Sequence, residues 1–131
     1  MEKKELIKTA KDATKSAYSP YSHFRVGAAL LCKDGTVYTG CNIENSSFGV
    51  TCCAERVALF KAVSDGKRCF TDIAIVGSSS DDFNKPCSPC GVCRQAFSEF
   101  CDADFKIHLS NGGEIITYTL NDILPHSFKL N

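Results

Sequence analysis

The sequence predicts an α/β fold: one five-stranded mixed sheet with helices on both faces. Three observations predict it. Apolar residues alternate between helical spacing and short continuous runs, in the order α-β-β-α-β-α-β-β. Asp34-Gly35 stands between two such runs and marks a hairpin, which makes the first two strands an antiparallel pair. The 131 residues suffice for one domain with a proper core and not for two, so 1–131 reads as a single unit.

The elements follow in order. Leu6, Ala10, Ala13 and Ala17 recur at helical steps among Lys3, Lys4, Lys8, Lys11 and Lys15, which predicts a surface helix over 3–17. Pro20 blocks its continuation, and 18–24 is a loop. Residues 25–32 are short and apolar, a buried strand, and 37–43 is the strand that returns from the turn. The polar stretch 42–51 leads into a helix over 52–64. Ala54, Val57, Ala58 and Ala62 form its apolar side, Leu59 and Phe60 widen it, and Asp65-Gly66 ends it. The apolar run 73–77 is a central strand. A loop over 78–88, rich in Ser, Asp, Asn and Pro, precedes a helix over 90–100, with Val92, Cys93, Ala96, Phe97 and Phe100 apolar. Strands over 105–109 and 114–118 flank the turn Asn111-Gly112-Gly113, and Asn121 caps a short final turn before Leu124-Pro125.

Composition narrows the function classes. With 15 basic and 15 acidic residues the formal charge is +0, which argues against a nucleic acid polymer held on a basic surface. No apolar run is long enough to cross a bilayer, so no membrane partner is expected. Met1-Glu2-Lys3-Lys4-Glu5 mixes charges and enters a helical pattern, unlike a secretory leader. Nine cysteines would leave one unpaired in an oxidising compartment. In a reducing cytoplasm, the expected location, they are core residues or metal ligands. Cys32, Cys41, Cys69 and Cys101 are read as core. His23, His108 and His126 have no spacing to a metal motif and are read as structural or exposed.

Two stretches carry chemistry. Cys53-Ala54-Glu55-Arg56 opens the second helix, and Pro89-Cys90-Gly91-Val92-Cys93-Arg94-Gln95 opens the third. A Cys-x-Glu followed by Pro-Cys-x-x-Cys is the pattern of zinc deaminases, with Cys where His is commoner. A catalytic zinc takes three protein ligands and keeps one position for water, and Cys53, Cys90 and Cys93 supply three. Each lies at or near a predicted helix start, where free N–H groups and the helix dipole favour an anionic sulfur. Three thiolates leave a net negative site. Arg56, three residues beyond Cys53 on the same helical face, offsets that charge. Glu55 does not share a face with Cys53 and is not a ligand. It is placed for general acid–base work in front of the metal. Cys87 and Cys90 obey the same spacing rule, but the helical pattern follows directly after Cys93, and Pro89 makes a poor helix interior. Closure of a four-thiolate structural zinc by Cys53, Cys87, Cys90 and Cys93 is the alternative, and it would leave Glu55 and Arg56 without a task.

Over nearly its whole length the chain resembles the short, homotetrameric cytidine deaminases. The resemblance rests on Pro20-Tyr21-Ser22-His23-Phe24-Arg25-Val26-Gly27-Ala28-Ala29, Gly40-Cys41-Asn42-Ile43-Glu44-Asn45, Cys53-Ala54-Glu55-Arg56, Ser88 through Gln95, and Leu124-Pro125 with Phe128. It selects Cys90 and Cys93 over Cys87. It implies a three-layer α/β/α sandwich and zinc-dependent hydrolysis of cytidine and 2′-deoxycytidine to the uridine nucleosides and ammonia. Glu55 would protonate N3 and then the leaving amine. Asn42 and Glu44 would bind the ribose, Phe24 would pack on the base, and the backbone around Ala54 would help recognise it. Phe128 would reach a neighbouring subunit's site, so the implied homotetramer shares its active sites. No phosphate-binding glycine loop or basic cluster is evident, which favours free nucleosides as small-molecule substrates. The family commonly has Tyr where this chain has Phe48, which removes a hydroxyl near a subunit contact. A related aminohydrolase such as blasticidin S deaminase shares the zinc motifs; Asn42-x-Glu44 and Arg56 favour the nucleoside enzyme. A non-catalytic zinc-stabilised module is the alternative of another class.

Overall fold

The computed structural model describes residues 1–130. Its helices are α1 (Lys3–Ala13), α2 (Ala54–Ser64), α3 (Gly91–Phe100) and α4 (Leu120–Ile123). Its strands are β1 (Arg25–Cys32), β2 (Val37–Cys41), β3 (Phe70–Ser78), β4 (Lys106–Asn111) and β5 (Glu114–Thr119). They form one sheet in the order β2-β1-β3-β4-β5, with β3 central as expected. The sheet is mixed: β3 and β4 run parallel, and the other neighbours are antiparallel. A parallel pair needs a crossover, and α3 supplies it.

Alternation along the strands explains the layers. Ala28 and Leu30 of β1 and Ile73 and Ile75 of β3 face α2 and α3, where they pack with Ala58, Leu59, Phe97 and Phe105. Ala29, Ala74 and Val76 face the other way and pack with Leu6, Ile7 and Ala10 of α1. Burying a side chain such as Leu59 or Phe97 contributes about 1.5–3 kcal/mol each. At Gly27 and Gly40 the strands touch helix backbone directly. A Cβ at Gly40 would lie 2.3 Å from the carbonyl oxygen of Ala54 and 2.6 Å from the nitrogen of Ala58. This approach seats α2, and with it Cys53, close against β2.

Several boundaries differ from the sequence expectation. The first helix stops at Ala13 and tightens into a 3₁₀ turn over Thr14–Ser16. Thr14 is buried there, and its hydroxyl donates to the carbonyl of Lys11 at 2.6 Å. Strand β2 ends at Cys41 rather than 43. Asn42 N still donates to Val26 O at 3.2 Å, but the return bond from Val26 N goes to the Asn42 side chain, Oδ1, at 2.9 Å, while Asn42 O accepts from Tyr18 N instead. The cap of α4 is Thr119, not Asn121; Thr119 and Asp122 form a reciprocal capping box at 3.2 and 2.8 Å. Helix α2 ends as predicted. Gly66 takes a left-handed φ of 92°, and Gly66 and Lys67 donate back to Val63 and Ala62. Phe60 is exposed rather than part of the apolar side, since the packed stripe of α2 is Ala54, Ala58, Leu59 and Ala62. Cys69 is exposed in the turn before β3, Cys32 is buried, and Cys41 and Cys101 are half-buried. His108 is structural: its ring bonds Thr117 Oγ1 at 2.8 Å and Asp72 Oδ2 at 2.7 Å across three strands. Among the described residues no helix is long and apolar enough to cross a membrane.

Candidate active site

Two helix starts meet at the site. Cys53 is the N-cap of α2 and Cys90 the N-cap of α3, and Cys93 lies in the first turn of α3. Neither cap residue's sulfur bonds the backbone N–H groups of its helix, so both are free to face elsewhere. The sulfurs of Cys53, Cys90 and Cys93 all lie within 4.8 Å of one another, and those of Cys53 and Cys90 are 3.8 Å apart. A tetrahedron built on Zn–S bonds of about 2.3 Å has edges of about 3.8 Å. The donor set therefore fits a zinc ion with one corner left for water. Cys87 is not part of the cluster; it is half-buried in the loop before α3, and burial pushes its thiol up to about 12.

Charge at the cluster follows from its neighbours. Arg56 Nη2 donates to Cys53 Sγ at 3.6 Å. The hydrogen bond from Cys93, with help from Arg56, pulls the Cys53 thiol down to about 5, while sharing that bond raises Cys93. Cys53 stands beside a guanidinium and the free N–H groups of a helix start, both of which favour its thiolate. Arg56 Nε is buried and finds no partner among the described residues. Such a cation is costly to bury unless an anion lies beside it, and a three-thiolate zinc site is an anion. Glu55 is 4% exposed, and burial pushes its carboxyl up to about 7. It lies one position beyond Ala54, which is fully buried at the first position of α2.

The residues expected around a sugar and base lie on two neighbouring segments. Asn42 bridges the chain on either side of Arg25, accepting from Val26 N at 2.9 Å and donating to Phe24 O at 2.8 Å. Glu44 Oε1 accepts from the backbone N–H groups of Tyr21 and Ser22 at 2.9 and 3.1 Å, and Oε2 accepts from Ser22 Oγ. These bonds, the Ser22 hydroxyl first, hold the Glu44 carboxyl below its ordinary value. The Phe24 ring is half-exposed and lies over Gly77, where a Cβ would come within 2.7 Å of it. Glu44, Tyr21, Ser22, Phe48 and Thr51 line a surface cavity of about 350 Å³. Phe48 is 82% exposed at its edge, and Phe128 is 67% exposed near α3, its carbonyl accepting from Gln95 Nε2 at 3.4 Å.

Two residues that the sequence reading passed over support the site. Arg94 fastens the loop that carries Cys90, donating to Pro89 O, Ile123 O and Ser88 Oγ at 2.8, 2.8 and 3.0 Å. Its place four residues after Cys90 offered a signal, since the side chain returns over the helix start. Ser22 links Glu44 to Phe24, and a loop serine gives no such signal.

A sheet covered on both faces, a three-sulfur zinc site at two helix starts and a buried carboxylate beside it define a zinc-dependent aminohydrolase of α/β/α architecture. Residues 1–109 match the family model described as the cytidine and deoxycytidylate deaminase zinc-binding region. The chain belongs to that family. It is 51% identical over 129 residues to a cytidine deaminase of Halalkalibacterium halodurans, covering 98% of this chain and 95% of the relative. The crystal structure of a cytidine deaminase from Burkholderia pseudomallei superposes with a TM-score of 0.90 at 44% identity, covering 98% of this chain and all of that one. A blasticidin-S deaminase of Bacillus cereus is more distant, 30% identical over 131 residues, covering 97% of this chain and 92% of the relative.

Proposed function

We propose that this chain hydrolyses cytidine and 2′-deoxycytidine to uridine and 2′-deoxyuridine with release of ammonia, a step of pyrimidine salvage in the cytoplasm. The observation that carries the reading is the convergence of Cys53, Cys90 and Cys93 beside the buried Glu55. Family membership and the 51% identity to a cytidine deaminase support the substrate.

Zinc held by the three thiolates supplies a Lewis acid that makes water nucleophilic near neutral pH. Everything else falls to side chains. Glu55 takes a proton from the attacking water and passes it to N3 as the C4–O bond forms. It then moves a second proton to the exocyclic nitrogen, so that the C4–N bond breaks and ammonia leaves with the pair of electrons. Arg56 keeps the sulfur cluster from becoming too negative for that chemistry. Phe24 packs on the pyrimidine, and Ala54 closes the pocket at the start of α2. Asn42 keeps one amide hydrogen, and Glu44 one acceptor position, beyond their bonds within the chain, as a ribose hydroxyl requires.

The assembly is a homotetramer in which neighbouring copies complete each site. Large apolar side chains without a covering element support this: Tyr18, Tyr21, Ile43, Phe48 and Val50 on one rim, with Phe60 and Phe128 elsewhere. Phe128 is the side chain that reaches across, and Phe48 stands exposed at the cavity edge without the hydroxyl that the family commonly has there. Nine free thiols fit a reducing compartment.

The deciding experiment measures ammonia release from cytosine, cytidine, deoxycytidine, their monophosphates and blasticidin S by the zinc-loaded protein. Turnover of the two free nucleosides is expected. Turnover of blasticidin S alone, or none with zinc bound, refutes the reading.

A further inference from the structure

Phe24 is held at both of its backbone polar groups by side chains. Its carbonyl accepts from Asn42 Nδ2 at 2.8 Å, and its N–H donates to Ser22 Oγ at 3.0 Å. The Ser22 hydroxyl in turn donates to Glu44 Oε2. The direction of this chain of bonds is fixed. A backbone N–H can only donate and an ionised carboxylate can only accept, so the hydroxyl between them accepts from the first and donates to the second. Hydrogen bonds in series polarise one another, which makes the chain stiffer than its members. The intervening His23 sits at a left-handed φ of 57°, a conformation that a non-glycine residue keeps only when its surroundings impose it. Gly77 leaves the room in which the ring seats: a Cβ there would meet the ring carbons at 2.7 and 2.9 Å. The two residues assigned to the sugar are therefore also the two that fix the residue assigned to the base.

We propose that Ser22 is a positioning residue that couples sugar recognition to base recognition, transmitting the placement of the Glu44 carboxylate to the Phe24 ring. The inference rests on the nucleoside reading above and extends it to the substrate class: the ribose hydroxyl aligns Glu44, Glu44 aligns Ser22, and Ser22 sets the ring against the pyrimidine. Such coupling is reciprocal, so a substrate without the sugar also meets a poorly placed ring. Free cytosine is rejected for this reason as well as for its missing contacts.

The test is a double-mutant cycle on kcat/KM for cytidine, with Ser22→Ala, Phe24→Leu and the double variant, and Ser22→Thr as the hydroxyl-retaining control. Ser22 is exposed on a loop, so its removal leaves both core clusters intact. Loss of the central bond of the chain is expected to lower kcat/KM for cytidine about 10- to 100-fold. The rise in KM should account for most of it, and zinc content should not change. Ser22→Thr should recover activity to within about threefold. Once the ring is gone, Ser22→Ala should cost less than about threefold more, because it has nothing left to position. Equal loss from Ser22→Ala with and without the Phe24 ring refutes the coupling. So does full activity of Ser22→Ala, or failure of Ser22→Thr to recover. A wild-type protein that turns over no cytidine removes the functional reading and the coupling together, whereas an active wild type with an additive cycle removes the coupling alone.

Discussion

Gly40→Ala probes how closely the metal site depends on the sheet. The added Cβ would lie 2.3 Å from Ala54 O and 2.6 Å from Ala58 N, the two ends of one hydrogen bond in the first turn of α2. A carbon against a carbonyl oxygen needs about 3.2 Å, so the helix start must withdraw by about 0.9 Å. Backbone on both sides leaves no side chain that can rotate away. Overpacking of this kind costs about 1–3 kcal/mol. Cys53 is the residue just before the displaced turn, while Cys90 and Cys93 stay with α3. A misplacement of about 1 Å at a reacting centre lowers turnover about 100-fold. Urea unfolding, zinc content and the decay of cytidine absorbance are the measurements. Gly113→Ala, where an added Cβ meets nothing within 4 Å, is the control. If Gly40→Ala matches that control in unfolding midpoint and in rate, close strand–helix packing does not set the site.

Three further outcomes are expected. Glu55→Gln keeps its zinc but loses turnover about 100- to 10,000-fold, the range for removing a general acid–base group; metal analysis beside the rate assay checks it, and an active variant overturns the proton path. Arg56→Gln leaves the Cys53 sulfur without its 3.6 Å partner, and turnover falls about 10-fold or more; an unchanged rate and zinc content would remove Arg56 from the account. Chelation abolishes turnover while circular dichroism keeps its folded signature, because of the buried residues in the two core clusters only Cys93, with Cys53 against its edge, is a candidate ligand; restored zinc restores the rate, and wholesale unfolding on chelation would instead mark the ion as structural.

The order of elements was legible because each has a physical signature of its own. From Val26 to Cys32 the chain is apolar, Asp34-Gly35 favours a turn, and Gly66 stands just past the Asp65 cap of α2. Cys53 was legible from its spacing to Glu55 and Arg56, whereas Pro-Cys-x-x-Cys fits Cys87 and Cys90 as well as Cys90 and Cys93, and the family resemblance chose between them. The rest depends on partners distant in sequence. Nothing near Thr14 announces that β1 will press on it. Nothing near Cys41 says that the Asn42 side chain will take one of the two bonds of the next rung. Phe60 carries the same apolar signal as Leu59, and only the sheet's position distinguishes them. Ser22 acquires its place from Glu44, 22 residues away.

The two cap positions of the site have one more consequence. A helix normally satisfies its opening amides with a serine, threonine or aspartate hooked back over the first turn. Here Cys53 and Cys90 occupy those places and hook over nothing. The opening turns of α2 and α3 are thus left to be quieted by whatever draws the sulfurs into negative charge. A bound ion and the two helix ends would hold each other in place. Demetallation would loosen the molecule at these two ends first, as amides there begin to exchange with solvent while those of β3 stay protected.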